Sequence, residues 1–266
     1  MSYIRPIFLI AGNTVTGVLR GVVLNVLLVL GALFLIGSMF TGAIDPGQLR
    51  ATLVDSGLAV ITMLGAVIAI LTGFTMIPGE IENRTLYPVL SKPVRRWQFV
   101  LGKFFGAAGI NGITVLLLAV LFFAAYYLKI GRTDHHFDLR LIVAVLMTYA
   151  MLCVLSALII FFSTFMSWIG TIIASMVIWF VGSYSQFLWD MSQGAEVNAF
   201  SKTSSLIVQK LLPDFQAMDM RYAIVQENVT SFFTPHNLIG KPLVVGVCYI
   251  VIALALATLI FNYREL

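Results

Sequence analysis

Charge is what this sequence has least of. Asp, Glu, Lys and Arg make up 11% of 266 residues, against about 25% in an ordinary soluble domain. Hydrophobic residues reach 60%, and the mean hydropathy is +0.98. A soluble fold of this size needs a charged surface, which these side chains cannot supply. The same apolar content excludes a disordered chain. Cysteine is nearly absent. Cys153 and Cys248 both fall in apolar stretches, too few for a disulfide framework or a metal site, and read as small buried side chains. Histidine is scarce too. His135-His136, flanked by Asp134 and Asp138, does not complete the four ligands of a structural zinc site and reads as an exposed polar loop. Scattered Ser, His and Asp residues give no hydrolytic constellation. No basic surface interleaved with aromatics points to a nucleic acid. A phosphate-binding loop is also missing: Gly102-Lys103-Phe104 lacks the following Ser/Thr and the upstream glycine. The first ten residues lack the charge, core and cleavage pattern of a signal peptide, so the apolar run after them is expected to be retained.

What the sequence has is long apolar runs. Stretches of about 20 residues without charge mark membrane-spanning helices. Six are expected: 21–40, 53–77, 104–128, 141–162, 168–189 and 242–261. Runs of this kind satisfy their backbone internally only as helices, whereas a barrel would show short alternating segments. The fold class is therefore an all-α polytopic membrane protein, in one domain spanning residues 1–266. Residues 3–19, apolar but broken by Arg5, Pro6, Asn13 and Thr16, form either a helix lying in the interface and turning at Arg20-Gly21 or the ragged start of a long first span. The flat helix is the expectation, with Ile7, Phe8 and Ile10 partly buried among lipids.

An even number of spans puts both termini on one side. The basic residues divide evenly between the two sides. Their density at Arg84, Lys92, Arg95, Arg96 and Lys103 places this side, and both termini, in the cytoplasm. Ser163–Ser167 then makes a tight inner hairpin. Residues 190–241 form the large outer segment, with short interfacial helices around Leu211-Leu212-Pro213-Asp214-Phe215 and Phe232-Phe233-Thr234-Pro235-His236.

The inner segment 80–103 is the most informative. Pro78-Gly79 ends span two, and Glu80 and Arg84 stand four apart in the favourable order for a helical ion pair. Lys92-Pro93 stops that short helix. Trp97 is placed as an interface anchor, and Lys103 is placed to snorkel from the start of span three. The residues allow two readings: a short helix across the inner mouth that a partner could push, or a plain cytoplasmic loop.

This segment resembles the signature of ABC-2 type transporter permeases. Glu80 and Glu82 match the family's acidic pair, Thr85-Leu86 its Thr-Leu, and Leu90, Pro93-Val94, Arg96 and Leu101-Gly102-Lys103 the remainder. Arg84 stands where the family usually has glycine. The resemblance extends to the six-span plan with an N-terminal interfacial helix. It implies a permease subunit exporting a substrate through a pathway made with a second permease chain, identical or paralogous. It implies a separate ABC ATPase carrying ATP and magnesium, coupled through Glu80, Glu82, Arg84, Thr85 and Leu86. It further implies no enzyme activity or cofactor in this chain, and a place in a bacterial or archaeal cytoplasmic membrane. A non-transporting membrane anchor, holding accessory proteins through its outer segment, is the alternative.

Within the spans, Asn25 and Asn111 are amides in a medium with few partners, suited to helix–helix hydrogen bonds or to a substrate. Gly102, Gly106, Gly109 and Gly112 make a small-residue face for packing within the chain or for a dimer seam. No acid or base is expected mid-span, which argues against an ion-coupled carrier.

Overall fold

A computed structural model describes residues 5–41, 49–76, 95–130, 139–185, 212–221, 224 and 239–263. These form seven α-helices and one short 3-10 turn: α1 (Arg5–Leu19), α2 (Val22–Thr41), α3 (Leu49–Met76), α4 (Arg96–Ile130), α5 (Leu139–Ser163), α6 (Trp168–Ser183), the turn Gln216–Met218, and α7 (Lys241–Tyr263).

Among the described residues four helices, α3, α4, α5 and α7, are long and apolar enough to cross a membrane. α1 and the body of α2 add a fifth if they count as one span bent by 63°. The described residues thus show four to five of the six expected spans by length and composition. Of the span expected at 168–189, the structure shows α6 as a helix of 16 residues, about 24 Å long, and residues 186–189 lie outside the described residues. The expected span 104–128 is the opposite case. α4 runs for 35 residues, about 52 Å, and takes in the end of the inner segment.

The local causes are legible. α4 starts at Arg96 because the Gln98 side chain reaches back to accept the Arg95 N–H at 2.9 Å, half of a capping box. α5 ends where the Ser163 and Thr164 hydroxyls donate to the carbonyls of Ile160 and Phe161, both at 2.7 Å. Ser167 caps α6 by accepting from the Gly170 N–H. The hairpin expected at Ser163–Ser167 is thus built from its own hydroxyls. α1 and α2 separate at Arg20-Gly21, where the Gly21 N–H bonds the Val18 carbonyl at 2.8 Å.

α3, α4 and α5 form the centre. Gly65 of α3 lets the chain come so close to α5 that an added Cβ would stand 2.5 Å from Leu152. Two clusters of buried side chains fill the bundle. One joins Met76, Phe99, Phe104, Ile160, Ala257 and Phe261 at the end where α4 begins and α7 finishes. The other runs from Ile61 and Leu118 to Phe215 and Met218 towards the opposite end. These are called the near and far ends below.

α1 follows α4 in the same direction. Ile7 and Ile10 lie over Gly102, Ala11 and Thr14 over Gly106, and Val15 beside Gly109. Its buried side, Ile7, Ala11 and Thr14, faces protein, while Phe8 and Leu9 point outward. α1 thus takes its inclination from the first half of α4.

Candidate functional site

The near end gathers four side chains in a layered contact. Arg96, Phe99 and Lys103 recur at three and four residues, so they share one face of α4. Phe261 of α7 faces them. The rings of Phe99 and Phe261 stack at 5.7 Å with an interplanar angle of 12°. The Arg96 guanidinium lies 5.9 Å from the Phe261 ring, and Lys103 Nζ 5.5 Å from the Phe99 ring. Arg96 Nη1 also donates to the carbonyls of Phe261 at 2.6 Å and Asn262 at 3.0 Å. Lys103, expected to snorkel to the surface, is instead 5% exposed. The physical reason is that α4 begins before it, so Lys103 sits in the second turn with its ammonium over the Phe99 ring. Trp97, in the first turn, is exposed.

In the middle of the bundle, Asn111 joins α4 to α5. Its Nδ2 donates to Ser156 Oγ at 2.8 Å and to the Leu152 carbonyl at 3.2 Å. Asn111 Oδ1 and the neighbouring Thr114 hydroxyl are buried without a hydrogen-bond partner. One turn away, the Tyr149 hydroxyl donates to the Ala108 carbonyl, and its ring packs over Gly112. Asn25, expected to be buried like Asn111, is on the exposed side of α2. It lies among Val22, Val26 and Val29, which also face out. The two asparagines look alike in sequence, but α2 turns its polar residue away from the bundle.

The far end is closed by residues 212–221. Asp214 Oδ1 accepts from Ser185 Oγ at 2.9 Å and from the Ala217 N–H at 3.2 Å, tying the 3-10 turn to the end of α6. Phe215 packs against Gly182 of α6, and Met218 together with Val154 of α5 meets Gly246 of α7. Both side chains are buried. This stretch, expected to be interfacial, is a wedge in the core. Beneath it, α5 and α7 leave an apolar cavity of about 510 Å³, reached by Met147, Cys153, Met218, Gly246 and Ile250. Cys153 is buried, as expected, whereas Cys248 is exposed on α7.

Of the residues singled out from sequence, the structure brings together Arg96, Gly102, Lys103, Gly106 and Gly109 along α4, with α1 covering the glycines. Asn111 and Gly112 meet α5. Glu80, Glu82, Arg84, Thr85, Leu86, Leu90, Pro93 and Val94 lie outside the described residues, as do His135 and His136. Among the described residues no group of three His, Cys, Asp or Glu could hold a metal ion.

A sequence model of the family described as "ABC-2 family transporter protein" matches residues 17–266. The chain belongs to that family. It is therefore a multi-pass membrane protein with a general transport role, a permease rather than a catalyst. The permease is also 36% identical over 90 residues to the "Probable ABC transporter permease protein NosY" of Stutzerimonas stutzeri. That match covers 32% of this chain and 33% of the relative.

Sequence reasoning missed Phe261, Ser156 and Asp214 as members of the permease's contacts. Phe261 gave no signal among 20 phenylalanines. Ser156 is a hydroxyl inside an apolar run, a visible sign of a partner. Asp214, after Pro213, is a capping residue that could have been found from its type.

Proposed function

We propose that this permease is the membrane half of an ATP-driven exporter, with ATP hydrolysed by a separate ABC ATPase and the pathway completed by a second permease chain. The match to the family over residues 17–266 carries the reading. Segment 77–94, which joins α3 to α4, is the proposed ATPase contact, through Glu80, Glu82, Arg84, Thr85 and Leu86. With that segment inside the cytoplasm, both termini are inside as well. Three features support this reading over a gradient-driven carrier or a passive anchor. These 266 residues hold no phosphate-binding loop, which supports a nucleotide site outside them. The middle of the bundle offers amides and hydroxyls rather than an ion relay. The side chains of Phe215, Met218 and Met220 in the wedge at 212–221 are buried in the bundle, so they are not free to hold other proteins. Exposed Asn25 on α2 supports a second permease chain, since an amide facing lipid alone is costly.

The test is co-purification of the permease with its ATPase in nanodiscs, followed by measurement of hydrolysis. Glu82→Lys is expected to lower stimulation of hydrolysis at least fivefold while the helical content stays unchanged. Stimulation and ATPase retention both equal to wild type would refute the assignment of the contact.

A further inference from the structure

One side chain fastens the beginning of α4 to the end of α7. The carbonyls of Phe261 and Asn262 belong to the last turn of α7, where a helix leaves four acceptors without internal partners. The helix dipole adds partial negative charge at the same place. Arg96 meets both demands, donating at 2.6 Å and 3.0 Å. The Phe261 ring, fully buried, is held between that guanidinium and Phe99. A guanidinium suits this position better than an ammonium would, because its planar fork can lie near a ring while bonding two carbonyls.

Two further observations give the contact a direction. Arg96 is the first residue of α4, so it follows almost directly on segment 77–94. α7 is the least enclosed of the four long spans, with 22% of its apolar stretch buried against 44% to 61% for the others. A helix with so little of its side wall covered depends on its ends for position. At the far end Met218 packs on Gly246, and at the near end Arg96 holds the final carbonyls.

We propose that Arg96 is a positioning residue that hands displacement of segment 77–94 on to α7, so that the start of α4 and the end of α7 move as one unit. The proposal deepens the ATPase-driven reading and rests on it. Arg96 makes α7, and with it the wall of the cavity shared with α5, the span that responds to the drive.

The experiment uses nitroxide labels at Tyr263 and Trp168, both exposed at the near end, in a chain whose two native cysteines are replaced. The labelled permease is measured in nanodiscs, alone and with its co-expressed ATPase, with and without a non-hydrolysable ATP analogue. In wild type the distance between residues 168 and 263 is expected to change on nucleotide addition. Arg96→Met keeps the apolar stem and removes the guanidinium. It is expected to retain the ATPase, to lose the distance change, and to raise label mobility at residue 263 at least twofold in the permease alone. Arg96→Lys is expected to recover part of the distance change. If Arg96→Met fails to assemble, Phe261→Leu, which removes the stacked ring and leaves Arg96 in place, is expected to shrink the distance change by half or more. A nucleotide response in Arg96→Met equal to wild type overturns the proposal, as does a wild-type complex whose distance never changes. A wild-type chain that retains no ATPase overturns the drive and the transmission together. Mobility at residue 263 in the permease alone then decides separately whether the clasp exists, and unchanged mobility in Arg96→Met overturns that as well.

Discussion

α5 and α7 are nearly equal in length and apolar character, yet they hold opposite places in the bundle. In α5, 61% of the apolar stretch is buried, and in α7, 22%. Hydropathy cannot separate them, because lipid tails and protein interiors welcome the same side chains. What separates them is the small and polar residues that face them. α5 receives Gly65 of α3 at Leu152 and the amide of Asn111 at Ser156. α7 receives polar contact at its terminus, from Arg96. Position inside a membrane bundle is therefore set by where backbones can approach and where hydrogen bonds can close.

The strongest way to break the comparison is to fill the space between α3 and α5. Gly65→Leu must place a side chain where even a Cβ would stand 2.5 Å from Leu152, itself fully buried. Overpacking of a tight core costs about 1–3 kcal/mol for a modest excess, and a whole isobutyl group is expected to exceed that range. The folded fraction in detergent, followed by thermal unfolding, should fall sharply. Val251→Leu on the outward side of α7 serves as the reference and should leave the melting temperature within 1–2 °C, on the order expected for a lipid-facing exchange. Equal loss in both variants would mean that α7 is enclosed by something the single chain does not supply.

Much of this arrangement was legible beforehand, and the failures have physical causes. The break at Arg20-Gly21 was readable from residue type, as was the hairpin at Ser163–Ser167. The glycines of α4 announced a close contact, but not that α1 would fill it, because a missing side chain does not name its partner. The charge-free run at 104–128 did not reveal that the helix itself begins at Arg96, because a charge ends a hydropathy run without ending a helix. Arg96 and Lys103 are tolerated there by α7's carbonyls and by the Phe99 ring, neighbours more than a hundred residues distant or hidden in the next turn. Asn25 and Asn111 could not be told apart without knowing which way each helix is rotated.

Those two asparagines sharpen the comparison at a smaller scale. Asn111→Leu removes both donors to α5, leaving Ser156 to turn elsewhere, and is expected to cost about 1–2 kcal/mol, the range for an interhelical hydrogen bond in a membrane. Asn25→Leu should not weaken the single chain. Its effect, if two chains meet at α2, is to reduce the dimer fraction seen by cross-linking in nanodiscs. Unfolding in denaturing detergent separates the cases, since only Asn111→Leu should shift the midpoint.

The smallest effect is expected on the outward side of α7. Val251 and Leu259 are more than half exposed. In a membrane, trimming them exchanges one apolar contact for another, so Val251→Ala with Leu259→Ala should cost less than about 0.5 kcal/mol. The same truncation at Leu155 of α5, which is fully buried, would leave a cavity and cost about 2–5 kcal/mol. Dilution distinguishes the remaining possibility. If the α7 double variant costs more than expected, and the excess vanishes as the permease is diluted in detergent, the outward side of α7 meets another chain. Excess that persists at every concentration would instead place its partner within the chain itself, and the contrast between α5 and α7 would no longer stand.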